Sequence, residues 1–395
     1  MNLSQWIPTR QAVRRAAVSQ YRHTSGRSPL SGMKIPGLVQ LFGWRLPLGV
    51  VLLSWALAST AHPLGKVPGD LVEVEGRLMH LYCHGTGSPT VILDTGLGGA
   101  SLEWLPVLKR VARFTQTCLY DRAGYGWSDM GPYPRTSSRE VDELYLLLSN
   151  AGLPGPFILV GHSFGGYNAQ LFARRYPFLT AGLVLVDASH PEQIERFQAP
   201  PYNIKTAPTS RYGTVQFGEA PPFHHSLSRR ARLLTLYQYK NWKPRRTMSY
   251  ELLGFRDSAQ ALHGAQPLAP LPLVVLTRGK RVWPADDRGT SLEHLWVTLQ
   301  AELAALSPTS AHLVALNSGH MVHLEQPALV SYGIALAFDA ATRTRPRKQG
   351  TSAIDAMQSL DGAISDALWL SDSLSVHAAE AIAELAVPVV RAVIH

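Results

Sequence analysis

Short apolar segments alternate with longer segments of helical periodicity between residues 71 and 341. Runs such as FILVG at 157–161 are continuously apolar, which is typical of strands buried on both faces of a parallel sheet. The predicted strands are Leu71–Glu75, Leu78–Cys83, Thr90–Asp94, Gln116–Tyr120, Phe157–Gly161, Gly182–Asp187, Leu273–Thr277 and His312–Asn317. This alternation of strands and helices predicts an α/β fold.

The helices are predicted between these strands. They are Ser101–Phe114, one that begins near Ser137, one that follows Ser163 and ends at Pro177, Ser291–Leu306 and Gln326–Ala341. Ser137 is followed three residues later by Glu140, which predicts a capping box.

One connection is much longer than an ordinary crossover. Residues 190–270 separate two predicted strands and are rich in proline, aromatic and basic residues. Because the aromatic content favours order, the segment is predicted to be an inserted lid of irregular loop and two or three helices. The α/β domain then covers residues 70–344, and a linker and tail follow at 345–395. Helical spacing in the tail predicts amphipathic helices from Ile354, Met357, Leu360, Ile364 and Leu368.

Residues 1–61 form a basic leader. The apolar run Leu46–Ala61 is shorter than the roughly 20 residues of a membrane span and ends in small residues, which predicts a cleaved export signal. An uncleaved membrane anchor, a mitochondrial-type presequence and a translation start at Met33 stay open. With a cleaved signal or an anchor, the main domain lies outside the cytoplasm, and an anchor would attach it to a membrane.

The net charge of +9 lies almost entirely in the residues before Asp70. Eight basic residues and no acidic ones precede Asp70, so residues 70–395 carry about +1, which excludes a basic nucleic-acid surface on the main domain. Two cysteines, Cys83 and Cys118, are too few for a disulfide scaffold. One bridge in an exported domain and two buried thiols are both open.

The motif GHSFGG at 161–166 follows a predicted strand and opens a predicted helix. This is the context in which G-x-S-x-G forms a nucleophile elbow, so Ser163 is the candidate nucleophile. A serine hydroxyl needs a base, and His320 lies in the loop after the last predicted strand. His323 is interpreted as a structural neighbour, because an isolated H-x-x-H is weak evidence for a metal site.

The base also needs a carboxylate to orient it. Asp187 ends the strand segment GLVLVD and is the candidate we favour, and Asp286 or Asp287, in a later loop, is the alternative. The oxyanion hole is predicted from the backbone N–H groups of Phe164 and Leu97, the latter in the glycine-rich segment TGLGG at 95–99.

Five motifs in this order resemble the α/β-hydrolase fold-1 family. They are DTGLGG at 94–99, YDRAGYGWSD at 120–129, GHSFGG at 161–166, LVLVDASHPEQ at 183–193 and SGHMVHLEQP at 318–327. The resemblance implies an eight-stranded, mostly parallel sheet with helices on its faces, an antiparallel second strand, and neighbouring strands that carry Cys83 and Cys118. It also implies that Asp121 and Arg122 brace the cleft. The family's usual acid position follows Leu273–Thr277, where this chain has Arg278-Gly279-Lys280-Arg281 instead.

These residues predict a serine hydrolase that cleaves an ester, thioester or lactone through an acyl-Ser163 intermediate. Serine at the elbow argues against assignment of this chain to the epoxide hydrolases or dehalogenases of this fold, because those enzymes carry aspartate at that position. No cofactor or metal is predicted, and the expected partner is a small acyl substrate. The alternatives are a ligand-binding protein of low turnover and a lyase or acyltransferase that uses the same triad. The sequence does not decide the oligomeric state.

Overall fold

A nine-stranded sheet organises the part of the chain that the computed structural model describes. The described residues are 67–199, 225–265, 267–268, 270–343 and the backbone of 367–370. The leader and most of the tail lie outside them, as do the predictions made for the leader and, apart from Leu368, for the tail. Among the described residues, no helix combines the length and the apolar character needed to cross a bilayer.

The strands are β1 (Asp70–Val74), β2 (Arg77–His84), β3 (Thr90–Asp94), β4 (Thr117–Tyr120), β5 (Phe157–His162), β6 (Thr180–Val186), β7 (Leu273–Arg278), β8 (Ser310–Ala315) and β9 (Ala367–Leu370). Their order in the sheet is β1-β2-β4-β3-β5-β6-β7-β8-β9. β3 to β8 are mutually parallel, β2 is antiparallel to both of its neighbours, and β9 is antiparallel to β8. The predicted α/β fold is confirmed, with β1 to β8 as its eight-stranded, mostly parallel sheet, and β9 from the tail adds a ninth strand at the edge.

The helices of the described residues lie between these strands and pack on both faces of the sheet. They are α1 (Leu105–Val111), α2 (Ser137–Asn150), α3 (Gly165–Arg175), α4 (Gln193–Gln198), α5 (Arg229–Lys240), α6 (Trp242–Leu253), α7 (Phe255–Gln260), α8 (Asp287–Ala304), α9 (Val322–Glu325) and α10 (Pro327–Thr342). A 3₁₀ turn at Ser101–Trp104 leads into α1.

The central strand β5 explains why its sequence is continuously apolar. Leu159 belongs to a core with Leu144 of α2 and Phe172 of α3, whereas Val160 belongs to a second core with α1 and α10. Since successive side chains of a strand point to opposite faces, each position must be apolar when both faces are covered.

Two local predictions are wrong. The N-cap of α2 is Thr136, and no side chain bonds to the cap, so Ser137 and Glu140 do not form a capping box. Glu140 is buried instead and accepts a hydrogen bond from Asn168 at 3.0 Å, because partners distant in sequence claim its carboxylate. In the tail, Leu368 lies in β9 opposite Val314 of β8 rather than in a helix. Pairing with the edge of β8 satisfies backbone groups that an unpaired strand would leave open.

Cys83 and Cys118 form a disulfide. They lie directly opposite each other on the antiparallel strands β2 and β4, with Cα atoms 4.0 Å apart. The strand pairing implied by the family resemblance therefore brings the two thiols together.

The segment at 190–270 contains helices α4 to α7 among its described residues. It is attached to the loop after β4 by Lys243 of α6, whose Nζ donates hydrogen bonds to the carbonyl oxygens of Gly126 at 3.1 Å and Ser128 at 2.7 Å. We call this segment the β6–β7 insertion. Its polar anchors fix α6 against the carboxyl end of the sheet, where the candidate site lies.

Candidate active site

Ser163 lies between the end of β5 and the start of α3, in a left-handed conformation with φ of 51°. Such a conformation costs a non-glycine residue about 1–3 kcal/mol and occurs preferentially at functional sites. The turn requires Gly161, because a Cβ there would collide with the backbone of Gly165. The backbone N–H of Ser163 donates to the carbonyl oxygen of Val186 at 3.2 Å, which fixes the serine beside the end of β6.

Asp187 follows Val186 and contacts His320. The Nδ1 atom of His320 and the Oδ2 atom of Asp187 are 2.7 Å apart, although 133 positions separate them in the sequence. Asp187 is fully buried and, like Ser163, has a left-handed backbone, with φ of 41°. The carboxylate therefore meets the imidazole at a fixed position near the carboxyl ends of β6 and β8.

The other candidate acids have different surroundings. Asp286 is the N-cap of α8, where its Oδ1 accepts a hydrogen bond from the backbone N–H of Gly289 at 2.6 Å, and Asp287 is the first residue of that helix. Asp187 is thus the carboxylate that the fold brings to His320.

Three further hydrogen bonds hold the Asp187 carboxylate. The Oδ1 atom accepts from the Trp296 indole at 2.8 Å and from the Arg278 backbone N–H at 3.2 Å, and Oδ2 accepts from the Arg278 guanidinium at 3.0 Å. Burial alone would raise the pKa of Asp187, but the charge of Arg278 and the contact with His320 hold this pKa well below its usual value. Asp187 therefore stays ionised.

The glycine-rich loop after β3 passes directly over the serine. A Cβ added to Gly96 would lie 3.1 Å from the Ser163 Cβ and 2.9 Å from Nδ1 of His162, so a side chain there would press on both residues. Leu97 is the next residue of this loop, and Phe164 directly follows Ser163 at the N-terminus of α3. Of the two residues predicted to form the oxyanion hole, Phe164 is therefore adjacent to Ser163 in the chain, and Leu97 is adjacent to Gly96, which the fold places against Ser163.

Arg122 holds the glycine-rich loop after β3 in place. Its guanidinium donates hydrogen bonds to the carbonyl oxygens of Thr95 at 2.7 Å and Gly96 at 2.9 Å. It also bonds to the carboxylates of Asp94 at 2.7 Å and Glu251 at 3.0 Å. Glu251 belongs to α6, so this buried charge cluster connects the β6–β7 insertion to the loop over Ser163.

Asp121 braces the neighbouring turn. It accepts hydrogen bonds from the backbone N–H groups of Ser101 at 3.2 Å and Trp127 at 3.1 Å, and it pairs with the ring of His80 at 2.8 Å. Neither Asp121 nor Arg122 contacts Ser163 or His320 in any hydrogen bond described above. Both therefore hold loops at the site, as the family resemblance implies.

His162 packs against His320, and His323 packs against His162. The Nε2 atom of His162 lies 2.9 Å from the carbonyl oxygen of His320, and the rings of His162 and His323 are 4.4 Å apart. Burial, followed by the two neighbouring histidines, holds the pKa of His162 well below its ordinary value. The His323 ring is buried against Trp104 and lies 3.7 Å from the carboxylate of Glu103, whose pKa burial raises to about 7.

A metal site has little support among the described residues. His320 and His323 turn to different carboxylates, Asp187 and Glu103. The group with suitable spacing is His190, Glu192 and Glu302, whose candidate ligand atoms lie within 4.8 Å of one another. However, both oxygens of Glu302 already accept hydrogen bonds from Arg196 at 2.7 Å, so a cation is present there.

A family model described as the alpha/beta hydrolase family matches residues 81–331. The chain therefore belongs to this family. Its relatives include the uncharacterized protein YqjL of Bacillus subtilis, 26% identical over 66% of this chain and 88% of YqjL. An AB hydrolase superfamily protein of Gibberella zeae is also 26% identical, over 62% of this chain and 84% of its own length.

Similar solved structures support the same fold. A thermophilic esterase from Thermogutta terrifontis superposes with a TM-score of 0.50 at 22% identity, covering 69% of this chain and 97% of the esterase. The epoxide hydrolase CorEH superposes with a TM-score of 0.53 at 18% identity, covering 69% of this chain and 99% of its own. At these identities the likeness concerns the fold and not the reaction.

Several residues of the site are not identifiable from the sequence alone. His162 lies inside the motif GHSFGG without a role of its own, and Arg278 stands only where an acid is expected nearby. Trp296 and Glu251 gave no signal, because each meets its partner from a helix more than 100 positions away.

Proposed function

We propose that this protein is a serine hydrolase whose nucleophile is Ser163, with His320 as general base and Asp187 as the orienting acid. The observation that carries the proposal is the 2.7 Å contact between His320 Nδ1 and the buried Asp187 carboxylate. Since Nδ1 contacts Asp187, the proposal assigns the proton transfer from Ser163 to Nε2. The left-handed Ser163 at the strand–helix turn supports the role of nucleophile.

In the proposed reaction, Ser163 Oγ attacks the carbonyl carbon of an ester, thioester or lactone while its proton passes to His320 Nε2. The oxyanion accepts hydrogen bonds from the N–H groups of Leu97 and Phe164. The imidazolium then protonates the leaving group, and an acyl-Ser163 ester remains. Water, activated by His320, hydrolyses this ester and restores the serine.

Two pairs of variants test the proposal. A fluorophosphonate probe should label the wild-type protein and not Ser163→Ala, and the same pair should differ in hydrolysis of p-nitrophenyl esters of graded chain length. Asp187→Asn should lower kcat on the order of 10⁴-fold, because the wrong tautomer of His320 would be favoured. Asp286→Asn is the matched control and should stay within about threefold, because Asp286 only caps α8. A folded wild-type protein that neither labels nor hydrolyses any ester would favour a ligand-binding role instead.

We also propose that the α/β domain works outside the cytoplasm. The disulfide between Cys83 and Cys118 supports this location, since disulfides persist in oxidising compartments. The basic leader with its apolar run agrees with export, either after cleavage or as an anchor at a membrane. Intact cells that produce the protein can be treated with an alkylating reagent and the protein then analysed by mass spectrometry without reduction. Cys83 and Cys118 should both be found unalkylated and disulfide-bonded, and alkylated cysteines would contradict the proposed location.

A further inference from the structure

Arg278 occupies a position next to the proposed catalytic acid that the family resemblance leaves unexplained. It is the last residue of β7, directly before the turn in which the family usually places its acid. Here the acid stands at the end of the adjacent strand β6, and Arg278 contacts it with both its backbone N–H at 3.2 Å and its guanidinium at 3.0 Å. A cation therefore faces the carboxylate from the residue directly before the turn where the acid is expected.

The guanidinium of Arg278 is itself held firmly. It lies between the rings of Trp283 and Trp296, 4.7 Å from each ring centroid, and donates a hydrogen bond to Glu293 at 3.1 Å. Glu293 also accepts the backbone N–H groups of Val282 at 2.6 Å and Trp283 at 2.9 Å. Arg278 is only 5% exposed, so this arrangement is part of the interior and not a surface ion pair.

We propose that Arg278 is a positioning residue for the Ser163–His320–Asp187 triad, which fixes the Asp187 carboxylate toward His320 and offsets part of its negative charge. The inference rests on the proposed function. A carboxylate that accepts four hydrogen bonds has one orientation, and that orientation presents Oδ2 to Nδ1 of His320. Because Arg278 compensates the same carboxylate, the imidazolium that forms when His320 takes the proton gains less stabilisation from Asp187.

The charged and titratable groups around His320 come from several elements. They are His162 at the end of β5, Asp187 after β6, Arg278 of β7, Glu293 of α8 and Glu325 of α9, which accepts the Gly319 N–H at 3.1 Å. His162 stays neutral, because burial holds its pKa well below the ordinary range. Loss of the Arg278 charge is therefore a defined change within this set.

The test is the pH profile of kcat/KM for p-nitrophenyl acetate, because its acid limb reports protonation of the base in the free enzyme. In Arg278→Gln the acid limb should move to higher pH by about one unit, with a lower kcat and little change in KM. Arg278→Lys should return the limb toward its wild-type position, since the charge is restored. Its kcat should stay low, because lysine lacks the planar fork and the stacking between the two tryptophans. Arg196→Gln is the matched control, because it removes a partly exposed arginine that also pairs with a glutamate, and its profile should not move.

Glu293→Gln provides a second test if Arg278→Gln fails to fold. This variant removes one of the two carboxylates that Arg278 contacts, so more of the guanidinium charge acts on Asp187 and the acid limb should move the other way, to lower pH. An unmoved acid limb in a folded Arg278→Gln, or in Glu293→Gln, overturns the inference. If activity is present and depends on Ser163, only the role of Arg278 is refuted, whereas absence of any Ser163-dependent hydrolysis refutes the proposed function and this inference with it.

Discussion

The buried charge cluster around Arg122 leads to a prediction about the stability of the domain, which does not depend on the reaction. Glu251 is fully buried and accepts hydrogen bonds from Arg122 Nε at 3.0 Å, from Arg122 Nη2 at 3.3 Å and from the Tyr125 hydroxyl at 2.7 Å. The substitution Glu251→Ala removes the acceptor for all three donors. It also leaves the buried guanidinium with one fewer counter-charge, which is the costly way to disrupt an ion pair.

The magnitude follows from what Arg122 retains. Breaking a buried ion pair by removing one partner costs about 3–5 kcal/mol. Arg122 keeps its hydrogen bond to Asp94 at 2.7 Å and lies 3.2 Å from Glu140, so the lower end of this range applies. We therefore expect a loss of about 3 kcal/mol in the free energy of unfolding, which for a domain of this size lowers Tm by roughly 6–12 °C.

Calorimetry or circular dichroism on the full chain measures this loss, and the chain offers a matched control. Glu302 accepts two hydrogen bonds from Arg196, both at 2.7 Å, but its side chain is 41% exposed. Glu302→Ala should cost no more than about 1 kcal/mol, since exposed ion pairs contribute little. If Glu251→Ala melts within 2 °C of wild type, or no lower than Glu302→Ala, the cluster does not stabilise the domain as described.

Two other predictions concern stability. Burial lowers the pKa of His80, but the charge and hydrogen bond of Asp121 outweigh it and raise this pKa above the ordinary value of 6.5. The pair therefore stabilises the fold fully below about pH 6.5 and loses this contribution as the pH rises through the raised pKa of His80 in the folded state. The Tm difference between wild type and His80→Asn should shrink from pH 6 to pH 9. A Tm difference that grows with pH would contradict this assignment. The Cys83–Cys118 bridge closes a loop with a sequence separation of 35. The double variant Cys83→Ala with Cys118→Ala should therefore lose about 2–4 kcal/mol of the free energy of unfolding measured by chemical denaturation. A wild-type protein whose stability is unchanged by reductant would show that the bridge does not contribute.

The sequence predicted the sheet because the chemistry of its strands is local. A strand covered on both faces must be apolar at every position, and the run from Phe157 to Gly161 meets this condition without reference to the rest of the chain. The turn at Ser163 is local only in part. Gly161 is required by the backbone of Gly165, four residues further on, whereas a Cβ at Gly165 would collide with the backbone of Asp94 and Thr95, which are distant in the sequence. Asp187 is predictable over Asp286 and Asp287 because it follows a strand at the carboxyl edge of the sheet, and in the structure it contacts His320.

The charge clusters were not predictable in the same way. Glu140 fits a local capping box, yet Asn168 and Arg122 attract its carboxylate, and neither partner can be identified from nearby sequence. Arg278 raised the question of a missing acid, but its contacts with Asp187 depend on the pairing of β6 with β7. Pairing of this kind depends on tertiary packing, which a pattern of apolar and polar positions does not specify.

The position of Glu251 has a consequence for protein engineering. One way to change the substrate preference of an enzyme of this fold is to build a chimera, in which the β6–β7 insertion is replaced by that of a homologue. In this protein such a graft would also delete a counter-ion of Arg122, the residue that holds the carbonyl groups of Thr95 and Gly96. A transplanted segment that fits the substrate but lacks a carboxylate at the position of Glu251 would weaken the hold of Arg122 on the loop over Ser163. The donor segment should therefore be chosen first for an acid that reaches Arg122 and only then for its shape.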